Sequence, residues 1–286
     1  MNIALLACQK FPKLTPADQL LIPELAKYNI ESKAVIWDDP SVDWTSFDYL
    51  IFRNTWDYYE KENAFNLWLD KLENLGVKTL NALDIIRGNK HKFYLRTLEK
   101  RDIQILPTIF IEKTNQLDLA KMLPESWEKA VIKPAFSAGS YLTEVFEAAA
   151  VASINQKYQP IAAQKDLLLQ RFMPEIQTLG ETSLVFFNKQ FSHAVNKKPA
   201  DGDFRIQVQF GGKYTAINPN AALIAQAQHI VDTFPDPLLY ARVDGIVIDN
   251  ELQLMEIECI EHDLYFNYSE GSGQRFVHAI LNLISK

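Results

Sequence analysis

The chain is 286 residues long, 48% hydrophobic and 23% charged, with a formal net charge of −7. That length buries a substantial core and leaves room for more than one domain, and the acidic balance argues against a general nucleic-acid binder. No stretch approaches the roughly 20 apolar residues of a membrane span, and the start Met-Asn-Ile-Ala-Leu-Leu-Ala lacks the basic flank and length of a signal peptide. Cys8 and Cys259 have no metal-like spacing, which fits a reducing cytoplasm.

In chain order, buried-strand runs are expected at 3–7, 34–37 and 49–52, and a fourth at 77–80. Helical patterns at about 16–27 and 62–75 intervene, the second closed by Gly76. This alternation predicts an open, mostly parallel α/β sheet over residues 1–82. A helix is expected from Asn89 to about Lys100, with Gly88-Asn89 as its cap, then a strand at 105–108 and a short helix near 117–122. Val131 to Pro134 reads as a strand, 136–143 as a small-residue loop, 148–158 as a helix, and 167–172 as a strand broken by Met173-Pro174. This makes residues 83–174 a central unit.

Beyond it, over 175–286, the texture is antiparallel. Runs at 182–187 and 191–196 flank Asn188-Lys189, a hairpin signal. Phe204, Ile206, Val208 and Phe210 alternate with Arg205, Gln207 and Gln209, and Gly211-Gly212 ends that strand. An amphipathic helix is expected from Ala221 to Phe234. The most informative feature follows. Strands at 241–249 and 252–258, joined at Asp249-Asn250, would place Arg242 and Asp244 on one face, with Glu256 and Glu258 on one face of their neighbour. If the strands pair, three carboxylates converge, and crowded acids call for a hard cation such as Mg²⁺. The bland alternative is a pair of solvated acids on an edge strand.

The polar landmarks, in order, are Lys90, Lys133, the Ser137-to-Ser140 loop, Gln170-Arg171-Phe172-Met173, Glu181, Arg205, Asp244, Glu256 and Glu258. Together with Asp201 to Gly212 (Asp-Gly-Asp-Phe-Arg-Ile-Gln, then Gly-Gly), they resemble the ATP-grasp superfamily and its glutathione-synthetase-like carboxylate–amine ligases, over roughly 84–286. The stretches Arg53-Asn54-Thr55-Trp56-Asp57-Tyr58 and Lys133 to Tyr141 are similar to the branch containing the ligase that closes the cycloserine ring.

The resemblance implies an ATP-grasp fold behind an N-terminal α/β domain. It also implies an ATP- and Mg²⁺-dependent ligase that turns a small-molecule carboxylate into an acyl phosphate for an amine-type nucleophile, in a protein that is often a dimer. Lys90, Lys133, Ser137 and Ser140 would hold phosphates, Gln170 to Met173 would meet adenine, and Glu181 the ribose. Asp244, Glu256 and Glu258 would hold Mg²⁺. Arg205 and Lys133 would be catalytic, because the planar guanidinium suits a transferring phosphoryl group.

Substrate contacts are expected from Arg53, Trp56, Tyr58, Tyr141, Gln207, Gly211 and Gly212, with Glu261, His262 and Asp263 also bordering the substrate and Lys197 or Lys198 helping to bind phosphate or substrate. Arg53 would pair with a carboxylate, although Trp56 and Tyr58 equally suit a packed domain interface. Two departures from the family pattern stand out: Glu258 replaces the usual Asn, adding charge, and Gly139 is the only glycine between Lys133 and Thr143. The alternatives are a kinase on the same fold, or a non-catalytic nucleotide-binding protein.

Overall fold

The computed structural model describes residues 1–200, 206, 211–235 and 237–285. The chain begins with β1 (Asn2–Ala7), α1 (Pro16–Gln19), α2 (Leu21–Ala26), β2 (Glu31–Ile36), β3 (Tyr49–Asn54), α3 (Glu62–Asn74) and β4 (Thr79–Leu80). The strands form a parallel sheet in the order β2-β1-β3-β4. β1 and β3 are apolar nearly throughout because both faces of the sheet are covered. The helix expected at 16–27 is two short helices: Pro23 has no N–H for the Gln19 carbonyl, so the helical hydrogen-bond ladder is interrupted. α3 closes at Gly76, whose φ of +66° lets Val77 N–H reach Leu72 O at 3.1 Å.

Next come α4 (Leu83–Asn89), α5 (Tyr94–Glu99), β5 (Thr108–Ile111), α6 (Leu119–Met122), β6 (Lys129–Pro134), β7 (Glu144–Glu147), α7 (Val151–Ala162), β8 (Leu167–Arg171) and α8 (Glu175–Thr178). Their sheet is antiparallel, in the order β5-β8-β6-β7. The single helix expected from Asn89 is replaced by two. Asn89 ends α4 rather than capping a helix start, and its amide is used elsewhere: Nδ2 donates to Ile257 O and Oδ1 accepts from Cys259 N–H, both at 2.8 Å. The strand expected at 105–108 lies beyond Pro107 instead, leaving Ile105 a lone bridge to Leu254.

The third sheet is built from β9 (Glu181–Phe187), β10 (Gln190–Lys198), β11 (Lys213–Ile217), β12 (Tyr240–Ile248) and β13 (Glu251–Glu258), in the order β11-β10-β9-β12-β13. α9 (Ala221–Asp232) covers one face, and α10 (Ser272–Ile284) ends the chain. Both expected hairpins form. Asn188 and Lys189, and likewise Asp249 and Asn250, all have positive φ, the geometry whose twist suits a two-residue hairpin. The alternating run 204–210, Ile206 apart, lies outside the described residues.

Packing crosses the sequence boundaries. Ile85, Leu95, Leu98, Ile103 and Ile105 join the core of the third sheet with Phe186, Val243 and Ile257. α10, which the sequence reading did not anticipate, brings Phe276 and Ile280 against Ile3, Leu5 and Leu25 of the first unit.

One buried histidine in this core makes stability pH-dependent. His193 on β10 donates from Nε2 to Leu264 O and accepts at Nδ1 from Ser192, each at 2.9 Å. Burial pushes its pKa down to about 4, against the bond to Leu264 O and aided by Arg275. Unfolded chains bind the proton near pH 6.5 and the folded protein only near 4, so stability present above 6.5 is lost as pH falls through that window. The loss should reach about 2 kcal/mol by pH 5. Urea unfolding of the wild type and of His193→Gln at pH 7 and pH 5 checks this. An unchanged difference between the two proteins would remove His193 from the account.

Candidate active site

The cleft lies where the three sheets meet. It encloses about 880 Å³ and receives residues from the carboxyl ends of β1 and β3, the place where α/β sheets present ligand-binding loops. Its floor is one face of the third sheet. Asp244 sits opposite Glu256 and Arg242 opposite Glu258 across β12 and β13. On the other side Asp244 faces Ser183 of β9, and Glu181 faces Lys197 of β10. The period of two thus gathers the charges of four strands on one side, while Leu184, Val243 and Ile257 turn to the core. A bulge after Asp244 offsets the register, and Gly245 permits it: a Cβ there would lie 2.5 Å from Gln253 O.

The three acids are arranged as the sequence suggested. Ligand atoms of Asp244, Glu256 and Glu258 lie within 4.8 Å of one another. All are hard oxygen donors, so the set fits Mg²⁺. Resident cations compensate the crowding. Arg242 grips Asp244 through Nε and Nη2 at 2.7–3.0 Å and reaches Glu258 at 2.9 Å. Lys197 pairs with Glu181 and lies 3.7 Å from Asp244, which also accepts from Ser183. Lys92 is 3.4 Å from Glu256.

The charge that Glu258 adds where Asn is usual therefore has its own partner. Burial pushes Glu258 up to about 8, with Arg242 opposing and Glu256 and Asp244 adding to the rise. Burial would lift Glu256 too, yet Lys92, Lys133 and Arg242 hold it down to about 2. Acids driven apart in this way are what a shared cation would relieve.

Above this floor, Val131 and Lys133 of β6 and Gln170 of β8 face the cleft, while Ala130 and Ile132 pack the central core. Burial lowers the Lys133 pKa, and Glu256 is its largest counterweight. Leu106, Phe172, Met173, Ile176, Ile206 and Ile246 line an apolar slot at one end. At the other end Lys92 donates to Ser137 O at 2.7 Å, and Lys90 donates to Asn66. Ser137, Ser140, Arg171 and Glu181 also line the cleft.

The expected substrate residues divide. Trp56 and Tyr58 line the cleft. Arg53 does not, which corrects its expected place against a substrate carboxylate: it is fully buried, with Nε on Asp18 at 2.8 Å, so its charge is already matched. Tyr141 is exposed, with its ring 5.2 Å from that of Tyr59, and does not line the cleft. Gly211 and Gly212 do not line it either. Arg205 and Gln207 lie outside the described residues.

Lys197, one of the two lysines expected to help bind phosphate or substrate, lines the cleft, and Lys92 and Arg242 are further cleft cations. Lys92 gave no local signal, but Arg242 could have been found from its shared face with Asp244. The loop after β13 adds Glu261, His262 and Asp263. Neither His262 ring nitrogen has a hydrogen-bond partner among the described residues.

The comparisons agree with this geometry. Residues 3–81 match the family model described as the N-terminal domain of D-cycloserine synthetase DcsG. The cycloserine biosynthesis protein DcsG of Streptomyces lavendulae is 25% identical over 269 residues, 88% of each chain. Among solved structures, that of D-cycloserine synthetase DcsG superposes with a TM-score of 0.87 at 21% identity, over 99% of both chains. The D-alanine–D-alanine ligase of Bacillus anthracis gives 0.66 at 13% identity, over 100% of this chain and 96% of that one. No helix among the described residues is long and apolar enough to cross a membrane. With its three-sheet cleft, the chain shares the ATP-grasp fold of these ligases, and its likeness to D-cycloserine synthetase DcsG extends over nearly its whole length.

Proposed function

We propose that the chain joins a small-molecule carboxylate to an amine-type nucleophile, forming an acyl phosphate from ATP and releasing ADP and phosphate. The observation carrying this is the face that joins Asp244, Glu256 and Glu258 to Arg242, Lys197, Lys92 and Lys133 inside one cleft. A carboxylate is a poor acyl donor because its leaving group would be oxide. Phosphorylation supplies a better one, so the protein's work is positioning and charge neutralisation.

In this reading adenine enters the slot around Phe172, Met173 and Ile246, bordered by Gln170 and Arg171, while Glu181 takes the ribose. Lys90 and Lys133 meet the phosphates from one side, with Ser137 and Ser140 on the covering loop. Arg205 remains the proposed holder of the transferring phosphoryl group, on sequence grounds. Asp244, Glu256 and Glu258 would hold Mg²⁺, which supplies charge neutralisation on the phosphates. Trp56 and Tyr58 border the acceptor end.

The same reading divides the chain into units at 1–82, 83–174 and 175–286, with 83–105 and α10 packed across the boundaries, and takes the protein to be a cytoplasmic homodimer. The test supplies ATP, MgCl₂ and a panel of D- and L-amino acids, and follows ADP, phosphate and amide. We expect ADP and phosphate in equal amounts with an amide-type product for at least one substrate. A stable phosphorylated product with no need of an amine would make the protein a kinase. Nucleotide binding with no turnover across the panel would make it a nucleotide-binding protein.

A further inference from the structure

The loop after β13 is fixed in an unusual way. Five consecutive carbonyls accept from side chains of other segments. Asn81 Nδ2 donates to Cys259 O at 2.8 Å, Tyr240 Oη to Ile260 O at 2.7 Å and Trp56 Nε1 to Glu261 O at 2.7 Å. Arg53 Nη2 donates to His262 O at 3.1 Å and Arg242 Nη1 to Asp263 O at 2.9 Å. A loop carbonyl ordinarily has water for a partner; here each is tied to a chosen group. Four of the donors are themselves buried: Asn81, Arg53 and Tyr240 at 0% exposure and Arg242 at 7%. Such a clamp has little local freedom left, so the direction of each side chain on the loop is set by the rest of the protein.

What the clamp presents is Glu261. This residue is 9% exposed and lines the cleft three positions beyond Glu258. The Tyr58 hydroxyl interacts with its carboxylate from the loop after β3. Lys92 and Arg242 face it more distantly, as does Glu258. No resident cation forms an ion pair with Glu261 among the described residues, unlike Asp244, Glu256 and Glu258.

We propose that Glu261, oriented by the carbonyl clamp and backed by Tyr58, binds the attacking amine and takes its proton. The inference rests on the ligase reading above. An amine arrives as an ammonium ion, which has no lone pair to attack with. Transfer of one proton to Glu261 leaves a neutral amine and a neutral carboxyl. The amine nitrogen then forms the C–N bond to the acyl phosphate carbon, the C–O bond to phosphorus-bound oxygen breaks, and the phosphate leaves with the electron pair and the amine's second proton. Glu261 returns its proton to solvent, so charge and atoms balance and nothing is oxidised. Burial lifts this carboxyl to about 7, against Lys92, Arg242 and Tyr58, which suits proton exchange near neutrality. Arg53, Trp56 and Tyr240 act as positioning residues for this group.

The test compares two nucleophiles on one acyl donor, with the amino-acid panel, ATP and MgCl₂. The panel's own amino groups are protonated at neutral pH and yield amides, whereas hydroxylamine is already uncharged and yields hydroxamates. Wild type should form both. Glu261→Gln should lower amide formation by about 10²-fold or more, the usual contribution of a positioned base, and hydroxamate formation by less than a tenth of that factor. Glu261→Asp should recover part of the amide rate, and thermal melts check that both variants fold. Equal losses with both nucleophiles would make Glu261 merely structural and overturn the proposal while leaving the ligase reading intact. An unchanged amide rate in Glu261→Gln would overturn it as well. No ADP from wild type with any carboxylate would overturn the ligase reading, and the proposal with it.

Discussion

Glu256→Gln should cut ATP turnover by about 10³-fold or more, because the group it removes is both a proposed metal ligand and the partner of two lysines. Glu256 is the carboxylate most firmly kept ionised in the cleft: burial works against the charge, and Lys92, Lys133 and Arg242 prevail. Glutamine keeps the shape and one acceptor oxygen but carries no charge. The proposed metal site loses a hard anionic donor, and Lys133, whose own ionised form burial disfavours, loses its main counterweight. The defect should therefore appear in kcat, and also in binding of Mn²⁺ as a probe, which should weaken by at least tenfold in a titration without nucleotide. Circular dichroism separates this from misfolding. Wild-type turnover in a folded Glu256→Gln protein would take this carboxylate out of the metal site. Intact Mn²⁺ affinity with lost turnover would shift its role to orienting the lysines.

The carboxylate hairpin was legible in the sequence because it depends only on local rules. A period of two and a two-residue turn with positive φ at Asp249 and Asn250 fix which residues share a face. The lysines and the cleft wall at Phe172 and Met173 were legible through the order of landmarks along the chain. What stayed hidden depends on contacts distant in sequence. Asn89 looks like a helix cap until Ile257 and Cys259 arrive, 168 and 170 residues later, to claim its amide. α10 carries apolar residues at helical spacing, Phe276, Ile280 and Leu283, but its start at Gly271-Ser272-Gly273 offers no strong local helix-initiation signal. Lys92 becomes a site residue only when the Ser137 loop folds over it. Arg53 shows the hazard most clearly: an arginine following a buried strand suggests a ligand contact, and nothing local reveals that Asp18 is its partner.

That pairing makes Arg53 a position where a single change should cost much stability. Its guanidinium is fully buried between Asp18, at 2.8 Å from Nε, and His262 O, at 3.1 Å from Nη2, with the Tyr240 ring 5.3 Å away. Arg53→Met keeps much of the volume and removes the charge, leaving the Asp18 carboxylate buried with Thr15 and Asn54 as its hydrogen-bond donors among the described residues. Breaking one side of a buried ion pair costs about 3–5 kcal/mol, mostly through the charge left behind. Adding Asp18→Asn to Arg53→Met should therefore return part of the loss, a coupling that a double-mutant cycle in urea measures directly. Arg53→Lys keeps the charge but not the fork that spans Asp18, Phe52 O and His262 O, and should fall between. The rival role, a ligand for a substrate carboxylate, makes the opposite forecast: Arg53→Lys would raise KM for that substrate while the unfolding midpoint stayed in place. A loss below about 1 kcal/mol in Arg53→Met, with no coupling to Asp18, would mean that solvent reaches this pair and that the clamp on the loop bearing Glu261 is held by its other donors.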